Sequence, residues 1–205
     1  ISRTSGNFEV RRPFTADQVD DMIAEAGRGR RGRRDAAILT LLYDTGIRAS
    51  ELCALNVGDV DQATGQVSVL GKGRKRRAVG FSRTCKRALW RYLRDYDGEE
   101  GDPLFTAAAG LTPGARLTPN GLRQLVVRVG KAAGVTGVRC SPHTFRHTYA
   151  VEFLRAGGNV FALQQLMGHA NLSMTMRYVA LAQADLTKAA RQFSPADRLK
   201  RAGRS

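Results

Sequence analysis

All three histidines of the chain, His143, His147 and His169, fall in one stretch, Cys140 to Val179: CSPHTFRHTYAVEFLRAGGNVFALQQLMGHANLSMTMRYV. His143 and Arg146 stand three apart, so on a helix they project from neighbouring positions. Ser141 is a good N-cap and Pro142 fits the first helical position, so a helix is expected to begin there. Its first N–H groups would face whatever the two side chains hold, which suits an anion such as phosphate. Gly168-His169 follows, and Tyr178 adds a phenol. Imidazole trades protons near neutrality. Guanidinium offers rigid paired donors and keeps its charge. A phenol, with an ordinary pKa of about 10, attacks only with a proton acceptor or a strongly cationic pocket beside it.

Each residue also has a plainer interpretation. Tyr178 lies four after Met174, a spacing that fits sulfur–aromatic packing. His147, one turn after His143, reads as a buried structural histidine. A metal triad of His143, His147 and His169 lacks the acidic partner of an H-E-x-x-H site, so no metal is expected.

Those side chains must be positioned by helices, and the chain is long enough to supply them. Its 205 residues suit one large domain or two small ones, with 42% hydrophobic and 7% aromatic residues, an ordinary globular balance. The helix from Pro142 should run to Ala156 with apolar residues on both sides, and so be largely buried. Shorter helices are predicted over Val160–Met167 and from Ser173 to about Leu181, with a last one near Ala184–Phe193 before a basic tail. Upstream, Thr15 and Gln18 have capping-box spacing and open a helix that fades at Gly27, with Phe14 placed to staple onto Val19. Asp35–Asp44 carries Ile38, Leu41 and Leu42 as a buried stripe and ends at Gly46. A third helix starts at Ser50, which sets Arg48 in the turn between two anchored helices, with Glu51 placed to brace it. Val60, Gln66–Leu70 and Arg77–Val79 read as three short antiparallel strands. Ser82 caps a helix reaching about Tyr96, with Cys85, Leu89, Trp90 and Leu93 inward, and Thr118-Pro119 begins another that ends at Gly134. The expected architecture is mainly α with a small three-stranded antiparallel sheet.

Charge points to the partner. With 33 Lys and Arg against 18 Asp and Glu, the net charge is +15. A polyanion is the natural ligand, because phosphates neutralised by cations release their counterions. Two clusters stand out. Gly27–Arg34, GRGRRGRR, matches a dinucleotide-binding glycine pattern by letter, but it follows a helix instead of a strand. Arg30, Arg31, Arg33 and Arg34 are instead expected to touch DNA backbone. The hairpin tip Gly71–Arg76 is the second cluster, with Arg74, Lys75 and Arg76 as DNA contacts. It is not a Walker A loop: Gly73 stands where Ser or Thr should follow Lys72, and Gly65 is one residue too far away. Cys53, Cys85 and Cys140 have no CxxC spacing, which argues for a reducing compartment. No run has the length of a membrane span. The first residue is Ile1, not Met, which suggests a fragment.

TGIRASEL around Arg48, GKGRK around Lys72, HTFRHT around His143 and Arg146, LMGH around His169, and then Tyr178 form an ordered set. From about Phe14 to Leu181 this set resembles the catalytic domain of the tyrosine recombinases, the phage-integrase and Xer-type family. The resemblance implies that fold over residues 13–182, after a linker or arm at 1–12 and before a C-terminal helix and basic tail at 183–205. It implies a site-specific recombinase that cleaves and rejoins double-stranded DNA through a 3′-phosphotyrosine, with no metal, ATP or other cofactor. Tyr178 would be the nucleophile, and Arg48 and Arg146 would clamp the non-bridging oxygens with help from His169. Lys72 would protonate the leaving oxygen, and His143 would take the tyrosine proton or orient the phosphate. Lys75 is an alternative to Lys72 as the acid. The resemblance further implies a homotetramer on DNA, assembled through the C-terminal segment, and a cytoplasmic, nucleoid-associated place in a bacterium or phage host. Most members carry an N-terminal helical DNA-clamping domain, and none is visible here. A DNA-binding protein that has lost autonomous cleavage, or a type IB topoisomerase, would share these features.

Overall fold

The computed structural model of the chain describes residues 12–28, 31–71, 76–107 and 114–182, with Ser194 and Ala196 besides. It divides into two compact units between Tyr149 and Ala150. The predicted helix near 184–193 and residues 1–11 of the arm lie outside the described residues.

The first unit is built around a buried helix. Helices α1 (Ala16–Arg28), α2 (Gly32–Thr45) and α3 (Ala49–Ala54) come first in the chain. Thr15 and Gln18 exchange both bonds of a capping box at the start of α1, at 3.1 and 3.2 Å. Along α2, Ala37, Ile38, Leu39, Leu41 and Leu42 are all fully covered, so it is wrapped on nearly every side. Helix α1 packs on it, and so does α4 (Arg83–Leu93).

A single 3₁₀ turn, Val57–Asp59, leads into strands β1 (Val60–Asp61), β2 (Gln66–Leu70) and β3 (Arg76–Gly80). They form an antiparallel sheet in chain order, with Val67 opposite Val79 and Val69 opposite Arg77. Val67, Val69 and Val79 are buried, the alternation a one-sided sheet requires. Helix α5 (Pro119–Ala132) starts where Thr118 Oγ1 accepts the Gly121 N–H at 3.1 Å. Leu104 and Phe105 are buried: Tyr92 donates its hydroxyl to the Leu104 carbonyl at 2.9 Å and its ring stacks on Phe105.

Pattern turns Trp90 inward on α4, and the structure turns it outward. Trp90 is 55% exposed and lies under the Arg94 guanidinium, 5.4 Å from ring centre. The buried stripe is Cys85, Leu89 and Tyr92, spaced by four and then three. Trp90, one residue beyond Leu89, is therefore turned about 100° away from the stripe.

Helix α6 (Pro142–Arg155) contains the division between units. Phe145, Arg146, His147, Thr148, Ala150 and Val151 are all buried, so it is covered on most of its sides as expected. Within the first unit Phe14 packs its ring 4.9 Å from that of Phe145 and donates its N–H to Thr148 Oγ1.

The second unit contains α7 (Val160–Met167) and α8 (Leu172–Ala182), which pack together. Asn159 caps α7 through Oδ1, which accepts the Phe161 and Ala162 N–H groups. Among the described residues no helix is long and apolar enough to cross a membrane.

Candidate active site

Arg48 occupies the N-cap of α3, with extended backbone. Serine, threonine, aspartate and asparagine are favoured there because their oxygens accept from the first turn, and arginine can only donate. Helix formation therefore does not account for this arginine. Glu51, at the third helical position, reaches back to accept the Arg48 N–H at 2.8 Å and holds Arg48 Nη1 at 2.8 Å, the bracing expected from sequence. The same carboxylate takes both ends of the Arg77 fork, Nη1 at 2.8 Å and Nη2 at 3.0 Å. Glu51 is only 4% exposed. Burial pushes its carboxyl up, but the hydrogen bonds from Arg77 and Arg48 outweigh it and hold the pKa at about 2.

Two residues before Arg48, Gly46 ends α2 in the left-handed conformation at φ 59°. Its carbonyl accepts from Arg146 Nη1 at 2.7 Å. A Cβ at Gly46 would overlap the Tyr149 ring, so glycine is needed there for space as well as for φ. The Gly46–Arg48 turn thus draws the α6 arginine to the α3 arginine. Arg146 is 6% exposed, whereas His143, three residues earlier on the same helix, is exposed. Ser141 Oγ accepts the Thr144 N–H at 3.2 Å, so the chain itself satisfies one of the helix-start groups expected to face an anion.

In the second unit, α7 closes with a Schellman arrangement. Gly168 has φ 61°, its N–H bonds to the Gln165 carbonyl, and the His169 N–H bonds to the Gln164 carbonyl. That fixes the backbone of His169, and Thr175 Oγ1 lies 2.9 Å from its Nδ1. Tyr178 sits three residues beyond Thr175 on α8, with its ring nearly parallel to that of His169 at 6.1 Å between centres.

The basic clusters divide. Arg30, Lys72, Arg74 and Lys75 lie outside the described residues. Arg31 is exposed just before α2, and Arg33, also exposed, pairs with Asp95. Both line a cleft of about 540 Å³ beside Tyr92 and Tyr96. Arg34 is turned inward: it is 6% exposed, donates Nε to Asp35 at 2.9 Å and Nη1 to the Thr106 carbonyl at 2.6 Å. It is a structural arginine locking the 106 loop to α2, so it drops out of the expected DNA face. Arg76 is exposed and pairs with Asp59 and Ser68.

Sequence pattern placed Arg77 only at the start of the third strand. A signal was available: Arg77 shares the strand phase of buried Val79 and stands opposite buried Val69. An inward arginine requires a carboxylate partner. Among the described residues, no three His, Cys, Asp or Glu side chains are grouped as metal ligands.

Residues 12–185 match the phage integrase family. Tyrosine recombinase XerC of Corynebacterium efficiens is 39% identical over 165 residues, 80% of this chain and 51% of that protein. The chain spans about half the length of the curated relatives it matches. The XerA recombinase structure aligns with a TM-score of 0.75 at 28% identity, over 95% of this chain and 67% of that one. The XerH site-specific recombinase bound to its palindromic difH substrate, in a post-cleavage complex, shares the fold at a TM-score of 0.74 and 21% identity, over 92% of this chain and 55% of that one. With most of its length matched in sequence and in fold, the chain belongs to the phage integrase family and has the fold of a tyrosine recombinase catalytic domain.

Proposed function

We propose that the chain is the catalytic part of a site-specific DNA recombinase, cleaving and rejoining double-stranded DNA through Tyr178. The observation that carries this is the docking of Arg146 on the Gly46 carbonyl, beside the turn that presents Arg48. Two guanidiniums brought to one turn suit the non-bridging oxygens of a phosphodiester, whose charge grows in the transition state. The names of the relatives, tyrosine recombinases and a recombinase on its DNA, support the same substrate.

In the proposed reaction the Tyr178 oxygen attacks the scissile phosphorus and its proton passes to His143. The P–O5′ bond breaks, Lys72 gives the leaving oxygen its proton, and the strand is left as a 3′-phosphotyrosyl link beside a free 5′-hydroxyl. His169, oriented by Thr175, assists Arg48 and Arg146 on the phosphate. Attack by a 5′-hydroxyl of the partner duplex reverses each step. The phosphotyrosine conserves the bond, so rejoining needs neither nucleotide nor metal. Arg31, Arg33 and Arg76, with Arg30, Arg74 and Lys75, would neutralise backbone phosphates, and residues 183–205 would join protomers into a tetramer on DNA. The place of action would be the cytoplasm of a bacterium, on the nucleoid.

The test is covalent capture. A pool of randomised nicked duplexes incubated with the protein should yield a denaturation-resistant adduct, absent in Tyr178→Phe although that variant still shifts DNA on a native gel. An adduct that persists in Tyr178→Phe overturns the nucleophile. Salt-sensitive binding with no adduct on any substrate would instead indicate a DNA-binding protein on this fold. Sequence-indifferent relaxation of supercoiled plasmid would indicate topoisomerase chemistry.

A further inference from the structure

Glu51 accepts four hydrogen bonds, two from Arg48 and two from Arg77, which uses the full acceptor capacity of a carboxylate. An Arg48–Glu51 pair alone would carry no net charge, and its carboxylate would compete with phosphate for the guanidinium. Arg77 changes the balance. The trio carries one net positive charge, and Glu51 is gripped from the β3 side as well as from α3.

We infer that Arg77 is a positioning residue for strand transfer: by clasping both oxygens of Glu51 it fixes the carboxylate that orients Arg48 and keeps the trio cationic toward phosphate. The inference rests on Arg48 gripping the scissile phosphate as proposed above. Stability alone is a poor reason for such a trio. A buried ion pair is often replaceable by packed apolar side chains without loss, and Arg77 shares its strand face with valines that show what the site would otherwise hold. Lysine could not replace it fully, because a point charge cannot span two carboxylate oxygens as a planar fork does.

The experiment is single-turnover adduct formation at saturating captured duplex, with wild type, Arg77→Met, Arg77→Lys, Glu51→Gln and the Arg77→Met/Glu51→Gln double variant, each first melted to establish folding. Arg77→Met should slow cleavage roughly 100-fold, the scale of a misplaced catalytic group, with DNA affinity changed less than about 3-fold. Arg77→Lys should recover about a tenth of the wild-type rate. In the Glu51→Gln background, Arg77→Met should cost less than about 3-fold more, because the two residues act in series. A duplex with sulfur in place of the bridging 5′-oxygen needs no acid for its leaving group, and the Arg77→Met deficit should persist on it. Cleavage by Arg77→Met within about 3-fold of wild type, full additivity with Glu51→Gln, or disappearance of the deficit on the sulfur substrate would each overturn the inference. Should Arg77→Met not fold, Arg77→Lys carries the same comparisons.

A substrate-free readout separates this inference from the cleavage proposal. The Nε–H resonance of Arg48, assigned with Arg48→Lys, should shift and broaden in Arg77→Met and remain near its wild-type position in Tyr178→Phe. An unchanged Arg48 resonance in Arg77→Met overturns the positioning role. A wild-type protein that forms no Tyr178-dependent adduct, yet shows the Arg48 change, would sink the cleavage proposal alone.

Discussion

A buried carboxylate between two arginines makes part of this fold sensitive to acid. Glu51 has its ordinary value near 4.5 when unfolded and about 2 when folded. Because the folded value is the lower one, its contribution is complete above about pH 4.5 and drains away as pH falls toward 2. The difference corresponds to on the order of 3 kcal/mol at neutral pH. Glu51→Gln should therefore lower the urea midpoint at pH 7 and flatten the acid limb between about pH 4.5 and 2, followed by far-ultraviolet circular dichroism. An acid limb identical to wild type would show that another group sets it. At this scale the sequence displayed types and spacing but not partners. Glu51 three after Arg48 was visible as a brace, because the two are local on one helix. The bond from Arg77, 26 positions further on, depends on how β3 is laid against α3, which local periodicity does not encode. Arg34 shows the converse: it belongs to an arginine run yet spends its donors on Asp35 and a loop carbonyl.

Elements place the residues, and their ends matter most. Gly46 ends α2, makes room for the Tyr149 ring and supplies the carbonyl that Arg146 grips. Gly46→Ala should destabilise by about 3 kcal/mol, from the left-handed backbone plus overpacking, read as a lowered urea midpoint. It should also slow adduct formation beyond what the stability change explains, because the shifted backbone displaces the carbonyl that anchors Arg146. Helix ends with capping signals were legible: Ser82 and Thr118 cap through side-chain oxygens where the sequence placed them, and α7 spans the predicted residues. Trp90 was not, because two stripes fit α4 and only packing against α2 selects the one through Tyr92. Large aromatic residues invite burial in a sequence reading, yet a ring beside a guanidinium is comfortable at the surface.

Over the whole molecule, the net charge of +15 should appear as a steep salt dependence. Each phosphate contact contributes about 0.9 to the slope of log affinity against log salt. Replacing Arg31 with alanine should reduce that slope by about one if it meets the backbone, measured by fluorescence anisotropy across a salt series. An unchanged slope would remove Arg31 from the DNA face. Ending the chain after Leu181 should leave DNA binding in place and abolish tetramer formation on DNA, followed by analytical ultracentrifugation. A truncated chain that still assembles would place the contact elsewhere. Family and fold were legible at this scale because five short motifs keep their order over most of the chain. Target sequence was not, since base contacts depend on side chains whose neighbours are nucleotides.

One short segment has a consequence for control. The Gly168 closure, the Thr175 hydroxyl and the facing rings of His169 and Tyr178 make the phenol and the imidazole parts of a single cartridge. Any event that withdraws one withdraws the other, so a state with Tyr178 presented and His169 absent would be hard to reach. An on–off switch acting here would be binary by construction.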